Sequence, residues 1–390
     1  MRLGVLLTAV VGVGALSIDM FLPALPAMAA AFGTDAGTAQ LTLTLFLAGF
    51  AVSQLVFGPL SDRFGRRRVL IAGLALYALA GLACAVAPEM SVLLAARIVQ
   101  ALGAGSGPVV ARAIVRDLYD QERAARMLAA MGTAQALTPI LAPIVGSWIH
   151  VLAGWRAIFF VLAGFGALFV VGALRFVPET NVSRGAPRAG DEPSRPAALL
   201  TDRTFLGYVL VMALMFSGHF AFISGSSFAL ITVLDVSPAL YGLCFGSVAL
   251  GLMVGNFLSV RLTARVGIDA MIRAGTLVGA VASVTMAMLA WLGVAAVAAV
   301  IVPMFAFAMG LGLVMPNAMA GAIGPFPRMA GTASAVLGFL QLTGAAAYST
   351  AVGHLYDGTL RPMTTAVATA GIAALIAFAV LGRRRPAALG

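Results

Sequence analysis

The sequence predicts an all-α integral membrane protein with twelve transmembrane helices arranged as two six-helix bundles. Of its 390 residues, 61% are hydrophobic and only 10% are charged, whereas a soluble domain is about one-quarter charged. The chain also contains twelve apolar runs, each close to the roughly 20 residues that a helix needs to cross a hydrocarbon core of ~30 Å. One polar stretch separates the first six runs from the last six, which indicates two bundles.

The apolar runs end at glycine, proline and charged residues, and these ends set the expected span boundaries. In order, the predicted spans are 3–31, 39–60, 69–87, 90–115, 126–149, 154–177, 204–231, 239–261, 270–290, 293–320, 331–354 and 363–382. The polar stretch is rich in Pro, Gly, Ser and charge, which is typical of a flexible linker. The predicted domains are therefore a bundle over 1–177, a linker over 178–203 and a second bundle over 204–390.

The first span has some features of a secretory signal peptide. Arg2 is followed by an apolar run and by small residues around Ala27, as in cleaved leaders. However, Asp19 interrupts the apolar run, and many uncleaved spans follow. We therefore expect a retained first helix.

The positions of the arginines predict the orientation. All 24 basic residues are arginine. When the connection between the second and third spans is placed in the cytoplasm, only Arg156 and Arg361 fall outside. This distribution follows the positive-inside rule. It predicts a multi-pass membrane protein with a cytoplasmic linker and both termini in the cytoplasm.

The composition also argues against several other classes of protein. The net charge of +10 is spread over alternate connections and forms no continuous stripe for nucleic acid. A Walker A loop needs a lysine, which this chain lacks. Cys84 and Cys244 fall inside apolar runs, and the three histidines are scattered, so we expect no disulfide, metal or other cofactor.

Residues 58–68, Gly-Pro-Leu-Ser-Asp-Arg-Phe-Gly-Arg-Arg-Arg, hereafter the 58–68 segment, are the most distinctive part of the chain. Such a charged stretch between apolar runs predicts a connecting loop, in which Gly58 and Gly65 allow a tight turn. The pattern G-x-L-x-D-R-x-G-R-R resembles the loop between the second and third helices of the major facilitator superfamily of transporters. That family's fold implies two related six-helix bundles with a substrate site between them near the bilayer midplane.

The two halves of the sequence are related. A shift of 202 residues aligns seven positions of the first half with similar residues of the second, among them Gly49 with Gly251, Gly65 with Gly267 and Gly73 with Gly275. In the second copy, Ala264 replaces Asp62 and the arginine cluster is missing. The charged function of the 58–68 segment is therefore predicted to belong to the first half alone.

Charged groups inside a membrane are costly and mark functional candidates. Asp19 lies ~24 Å from the cytoplasmic end of span 1 and Arg97 ~10 Å from the outer end of span 4, at ~1.5 Å per residue. This similar depth favours a proton-coupling pair that faces the cavity. In the alternative, Asp19 caps a helix kink near Pro23 and Pro26, and the Arg97 side chain extends outward to the membrane–water interface.

Two further groups of polar residues are candidates. His219, near the middle of span 7, either lines the cavity or hydrogen-bonds a neighbouring helix. Arg112 is expected to snorkel, or to pair with Asp62 or Asp117 in a charge network that holds the inner gate closed. By resemblance, the gating residues are Gly58, Asp62, Arg63, Gly65, Arg66, Arg67, Arg112 and Asp117.

Three stretches resemble the twelve-span drug:proton antiporters. Residues 17–26, Ser-Ile-Asp-Met-Phe-Leu-Pro-Ala-Leu-Pro, are similar to the first helix of the bicyclomycin/chloramphenicol-resistance (Bcr/CflA-type) family. Residues 97–103 resemble the fourth-helix motif R-x-x-Q-G-x-G, with Ala101 in place of the first glycine. Residues 142–147 resemble the antiporter motif G-P-x-x-G-G, with Ala142 and Ser147 in place of two glycines. The residues carrying this last resemblance are Pro139, Ala142, Pro143 and Gly146.

The resemblance implies proton-coupled efflux of small amphipathic compounds, such as amphenicol- or bicyclomycin-like antibiotics, by a monomer in the lipid bilayer of the bacterial inner membrane. The expected cavity residues are Asp19, Met20, Phe46, Phe50, Arg97, Gln100, Phe216, His219 and Phe220. Aromatic residues at helical spacing also occur in ordinary bundle packing. The alternatives are a facilitator or importer of a small metabolite on the same fold, and a membrane receptor. The membrane interior offers too few catalytic groups for an enzyme.

Overall fold

The computed structural model describes residues 2–181, 199, 201–326 and 329–381, and these residues form helices and short connections without a strand. The structured parts belong to two compact units. One comprises 1–190 with 237–243, and the other comprises 191–236 with 244–390. Residues 182–198 and 200 of the predicted linker lie outside the described residues.

The first unit begins with a broken helix, because two prolines interrupt the first apolar run. Its helices are α1 (Arg2–Val11), α2 (Val13–Asp19), a 3₁₀ turn (Leu22–Ala24), α3 (Leu25–Phe32), α4 (Ala36–Phe64), α5 (Arg66–Ala85), α6 (Met90–Leu118), α7 (Gln121–Ala153) and α8 (Trp155–Phe176). The helix α5 packs on α6 and α8, α4 packs on α6, and α2 packs on α7. A buried apolar cluster of this unit is formed by residues of α1, α4, α5, α6, α7 and α8.

The second unit repeats this pattern. Its helices are α9 (Arg203–Ser227), a π-helical turn (Phe228–Val233), α10 (Pro238–Val266), α11 (Ile268–Trp291), α12 (Val297–Ile323), α13 (Ala330–His354) and α14 (Arg361–Leu381). The first residues of α10 group with the first unit. The helix α9 packs on α12, α13 and α14, and α11 packs on α12 and α14.

The prediction of twelve membrane spans is confirmed, since twelve helical segments of the described chain are long and apolar enough to cross a bilayer. Several spans run a few residues beyond the predicted limits, whereas the sixth, Trp155–Phe176, is slightly shorter than predicted. The helix α4 ends at Phe64 rather than at residue 60, and α7 begins at Gln121 rather than at 126. Hydropathy marks only the apolar part of a helix, whereas charged residues such as Arg and Glu continue it into the interface.

The internal repeat is visible in the backbone. Gly65 and Gly267 separate corresponding helix pairs, and they have φ of +99° and +85°, a region that side chains disfavour. Gly73 of α5 faces the carbonyl of Gly103 on α6, and Gly275 of α11 faces that of Gly310 on α12. The two sequence halves thus use glycine at equivalent turns and helix crossings.

The helix α4 begins at a side-chain cap. Asp35 is its N-cap residue, and the Thr38 backbone N–H donates to Asp35 Oδ1 at 2.7 Å. This hydrogen bond stabilises the carboxylate and lowers the pKa of Asp35 below its ordinary value. The cap satisfies one of the free N–H groups at the start of the helix.

Candidate functional site

Asp19 lies at a break in the first membrane-spanning segment. It is the last residue of α2, and the chain then passes through a 3₁₀ turn that contains Pro23, with Pro26 in the first turn of α3. The predicted kink is therefore confirmed. Asp19 is only 3% exposed. Among the described residues no hydrogen bond or ion pair reaches its carboxyl group, so the predicted capping role of Asp19 is not observed.

The helix α7 passes directly against this break. A Cβ atom at Gly146 would lie 1.8 Å from the carbonyl oxygen of Met20 and 2.7 Å from its carbonyl carbon. Only glycine permits this approach, because both of the atoms belong to backbone. The helix α7 continues without interruption through Pro139 and Pro143. The antiporter-like stretch is thus in contact with the residue that follows Asp19.

Arg97 is completely enclosed on α6, with no exposed surface. Its guanidinium donates from Nε to the Thr42 carbonyl at 3.3 Å, from Nη1 to Gln100 Oε1 at 2.7 Å and from Nη2 to the Ser17 carbonyl at 3.1 Å. These acceptors belong to α4, α6 and α2. Arg97 therefore ties three elements of the first unit together, one of them at the break.

Aromatic rings complete the environment of Arg97. Its Cζ atom lies 4.3 Å from the ring centroids of both Phe21 and Phe46 and 5.7 Å from that of Phe159. A guanidinium is attracted to the negative face of such a ring. Carbonyl oxygens and ring faces, rather than a carboxylate, thus compensate the buried charge.

Two predictions about Arg97 require correction. Arg97 does not extend to the interface, since its guanidinium has partners on three inner elements. Asp19 and Arg97 lie in the same region, because Ser17 is two residues from Asp19, but no ion pair joins them among the described residues. The Arg97 guanidinium binds Ser17, Thr42 and Gln100 instead, and within the described part of the chain no cation pairs with Asp19.

The other cavity candidates are divided between the units. In the first unit, Met20, Phe46 and Gln100 have no exposed surface, and Phe50 is partly exposed and stacks with Phe46 at 6.2 Å between centroids. Phe46 thus contributes to the Arg97 environment. The glycines at 103, 105 and 107 of α6 serve helix packing, because Cβ atoms at these positions would meet α5, α4 and α1 respectively.

In the second unit, the candidates lie along α9. Phe216 is partly exposed, and its ring centroid lies 4.7 Å from that of Phe220. His219 is 7% exposed, its ring meets Phe220 edge-on, and its Nδ1 atom has no hydrogen-bond partner within the described chain. The predicted alternative, in which His219 hydrogen-bonds a neighbouring helix, is not observed at Nδ1.

An ionic cluster lies at the arginine-rich end of the first unit. Arg66 is only 3% exposed, and it contacts Asp62 at 2.6 Å and Asp117 at 3.1 Å. Its Nη1 atom also donates to Ser61 Oγ at 2.6 Å. This cluster joins α4, α5 and α6, and Arg66 is its central residue.

The residues after α8 bind this cluster through a short strap, residues 177–181. Glu179 accepts the Arg66 backbone N–H at 2.8 Å, Thr180 donates to Asp117 Oδ2 at 3.2 Å, and Asn181 donates to the Asp62 carbonyl at 2.6 Å. Sequence analysis missed the strap. In the sequence, the strap is indicated only by Glu179, an acidic residue that closely follows a predicted span on the side of the membrane that carries the arginines.

The prediction of a connecting loop over the whole 58–68 segment was wrong. Gly58 lies within α4, and a Cβ atom added there would meet no other atom within 4 Å, so Gly58 forms neither a turn nor a close contact. Within this segment, Gly65 alone separates two helices.

The other predicted gating arginines have separate contacts. Arg112 donates to Gln135 at 3.2 Å, so of its two predicted alternatives the pairing with Asp62 or Asp117 is not observed. Arg63 is exposed, and Arg67 donates to the Leu174 carbonyl at 2.6 Å.

We expect the strap to stabilise the first unit measurably. Glu179→Ala removes the acceptor for the first N–H of α5, and loss of such a cap costs about 1 kcal/mol. Glu179→Gln keeps an oxygen acceptor and should lose less. The measurement is the thermal unfolding midpoint of the purified protein in detergent. Glu122→Gln is the control, since Glu122 is largely exposed. An Ala variant as stable as this control would contradict the role of the strap.

Comparison with known proteins identifies the family. A family model described as Major Facilitator Superfamily matches residues 7–349. The chain belongs to the major facilitator superfamily. It is therefore a multi-pass membrane transporter and not an enzyme, and the predicted family and fold are confirmed.

The relatives agree with this membership, and a solved structure has the same fold. The chain is 34% identical over 323 residues to the chloramphenicol resistance protein of Pseudomonas aeruginosa, covering 82% of this chain and 76% of that protein. It is 32% identical over 347 residues to multidrug resistance protein D of Escherichia coli strain K12, covering 87% and 85%. The crystal structure of a POT family transporter in complex with 5-aminolevulinic acid has a TM-score of 0.77 at 15% identity, covering 97% of this chain and 94% of that chain.

Proposed function

We propose that this transporter exports small amphipathic compounds in exchange for protons, with Asp19 as the proton carrier. The observation that carries the proposal is a carboxyl group almost entirely enclosed by protein at a helix break, with no hydrogen bond or ion pair among the described residues. An unpaired carboxylate in such a place is costly, whereas the protonated form is neutral. The charge of Asp19 is thus linked to whether water reaches it.

The surroundings of Asp19 support coupling to a conformational change. The break is held by Arg97 through the Ser17 carbonyl, and it is in contact with α7 at Gly146. A movement of α7 therefore changes the space around Asp19 directly. Transporters of this superfamily's fold alternate access by rocking one bundle against the other, and we propose that proton loading of Asp19 accompanies that step.

The substrate class and the membrane are further parts of the proposal. Relatives named as multidrug and chloramphenicol resistance proteins support antibiotic-like cargo. The partly exposed rings of Phe50 and Phe216 offer apolar surface suited to such compounds. The arginine distribution supports the bacterial inner membrane, with both termini in the cytoplasm. We propose a monomer as the working unit.

The proposal is tested in inverted membrane vesicles that hold an imposed pH gradient. A panel of chloramphenicol, florfenicol, bicyclomycin and organic cations is added, and the gradient is followed with a pH-sensitive dye. We expect at least one compound to collapse the gradient with the wild-type protein, and Asp19→Asn to abolish this response. Asn keeps the size of the side chain but cannot carry the proton.

Asp35→Asn is the matched control, because Asn is as good an N-cap residue as Asp and Asp35 lies outside the helices. It should collapse the gradient as wild type does. If Asp19→Asn also did so, the proton role of Asp19 would be wrong. If no compound collapsed the gradient while one of them still bound the folded protein, proton-coupled export would be wrong, and a facilitator or receptor would be favoured.

A further inference from the structure

Tyr77 reaches the break in the first span from α5. Its hydroxyl lies 2.6 Å from Ser17 Oγ, and Ser17 Oγ in turn donates to the Val13 carbonyl at 2.7 Å. A serine hydroxyl has a single proton. Since that proton is used at Val13, the Tyr77 hydroxyl is the donor to Ser17.

Tyr77 packs against glycines on two helices, through its backbone on one side and its ring on the other. A Cβ atom at Gly103 of α6 would lie 2.5 Å from the Tyr77 backbone nitrogen, and one at Gly166 of α8 would lie 2.7 Å from Tyr77 Cδ1. Tyr77 has no exposed surface. Because α6 packs closely on its backbone and α8 on its ring, Tyr77 cannot move away from Ser17 without a movement of these helices.

Ser17 is therefore held at two points. Tyr77 contacts its hydroxyl, and Arg97 donates to its carbonyl at 3.1 Å. Asp19 lies two residues after Ser17 and is the last residue of α2, which is followed by the 3₁₀ turn that begins at Leu22. The position of the Asp19 backbone thus depends on two side chains, of which only Arg97 belongs to a recognised motif.

We propose that Tyr77 is a positioning residue, which holds α2 through Ser17 so that Asp19 stays at the break in an orientation suited to proton exchange. This inference rests on the proposed proton role of Asp19. Tyr77 itself carries no proton in the cycle. Its hydroxyl fixes the last turn of α2, while the carboxyl group performs the exchange.

Other ionisable groups near α2 must be considered in a test that depends on pH. The helices packed against α2 are α1, α4, α6 and α7, and α5 brings Tyr77. Arg97 of α6 contacts Ser17, and His150 lies one turn beyond Gly146 on α7. The remaining charged or titratable groups of these five helices are Arg2, Asp62, Arg63, Arg66, Arg67, Arg68, Cys84, Arg112, Arg116, Asp117, Glu122, Arg123 and Arg126. None of them changes in the variants below.

The test compares Tyr77→Phe, Ser17→Ala and the double variant in the vesicle assay, over a range of pH. Tyr77→Phe removes one oxygen and keeps the ring packing. We expect each single variant to fold, to lose roughly three- to tenfold in the rate of substrate-driven proton movement, which is the equivalent of one hydrogen bond, and to shift the pH dependence of that rate. The double variant should lose no more than either single variant, because both remove the same interaction.

Tyr119→Phe is the control, since among the described residues the Tyr119 hydroxyl has no hydrogen bond, and it should match wild type. A Tyr77→Phe variant with the wild-type rate and pH dependence would overturn the positioning role while Asp19→Asn still abolished coupling. Additive losses in the double variant would overturn it as well. If Asp19→Asn retained coupling, the proposed function itself would fail, and the inference with it.

Discussion

Gly146→Ala should prevent the first unit from packing correctly. The added Cβ would lie 1.8 Å from the Met20 carbonyl oxygen, whereas real contacts of this kind are about 3 Å or longer. Both partners are backbone, so no side chain can rotate away. The helix α7 must move by more than about 1 Å, or the break beside Asp19 must rearrange. Overpacking of this kind costs about 3 kcal/mol or more.

The measurements are the yield of monodisperse protein, its thermal unfolding midpoint and its transport rate. Gly132→Ala provides a control on the same helix, because a Cβ atom there meets nothing within 4 Å. Alanine at an open helical position favours the helix by up to about 1 kcal/mol, so this variant should be at least as stable as wild type. Equal stability and transport in the two variants would refute the close contact of α7 with the break.

Arg97→Lys should be more damaging to stability than Arg97→Met. Lysine keeps a buried charge but places its donors on a single nitrogen, which cannot reach the Thr42, Gln100 and Ser17 acceptors together. Each orphaned buried acceptor costs about 1–3 kcal/mol. Methionine loses the same donors, yet it removes the buried charge and fits among the rings. We expect neither variant to transport.

The thermal unfolding midpoints of the Arg97→Lys and Arg97→Met variants in detergent give their order of stability. Arg116→Lys is the control. Arg116 lies on the same helix and is exposed, so its exchange for lysine should have little effect. A stability order in which Lys is equal to wild type would show that the three hydrogen bonds of Arg97 are dispensable. If Arg97→Met were less stable than Arg97→Lys, the prediction that the buried charge destabilises the lysine variant would be wrong.

The fold was largely predictable because the bilayer imposes simple rules. Length and hydropathy were enough to predict twelve spans, and Pro23 and Pro26 indicated the kink in the first span. Helix ends were less predictable, since Asp62 and Arg63 lie in the interface, where a helix continues although hydropathy falls. The repeat was predictable through Gly65 and Gly267 because a turn with positive φ restricts the residue type.

The sequence identified residues of the candidate site but not the groups that they contact. Asp19, Arg97 and Gly146 were found because charge or glycine inside a membrane is conspicuous. That Arg97 would bind carbonyl oxygens rather than Asp19 depends on the rotation of four helices, which a sequence motif does not specify. Tyr77 and Glu179 were missed for a related reason. Each looks ordinary in sequence, and each matters only through a contact with a distant segment.

The two units also differ in how they join their corresponding helices. In the second unit, Asn317 of α12 donates to Ser259 at 2.7 Å and accepts from Thr263 at 2.9 Å on α10, where the first unit has the ionic cluster around Arg66. The neutral contact carries no net charge for salt ions to screen, whereas ion pairs near a surface weaken as ionic strength rises. The repeat thus preserved the glycine turns but allowed the polar chemistry to diverge, so that ionic strength acts on this contact in the first unit and spares its counterpart in the second.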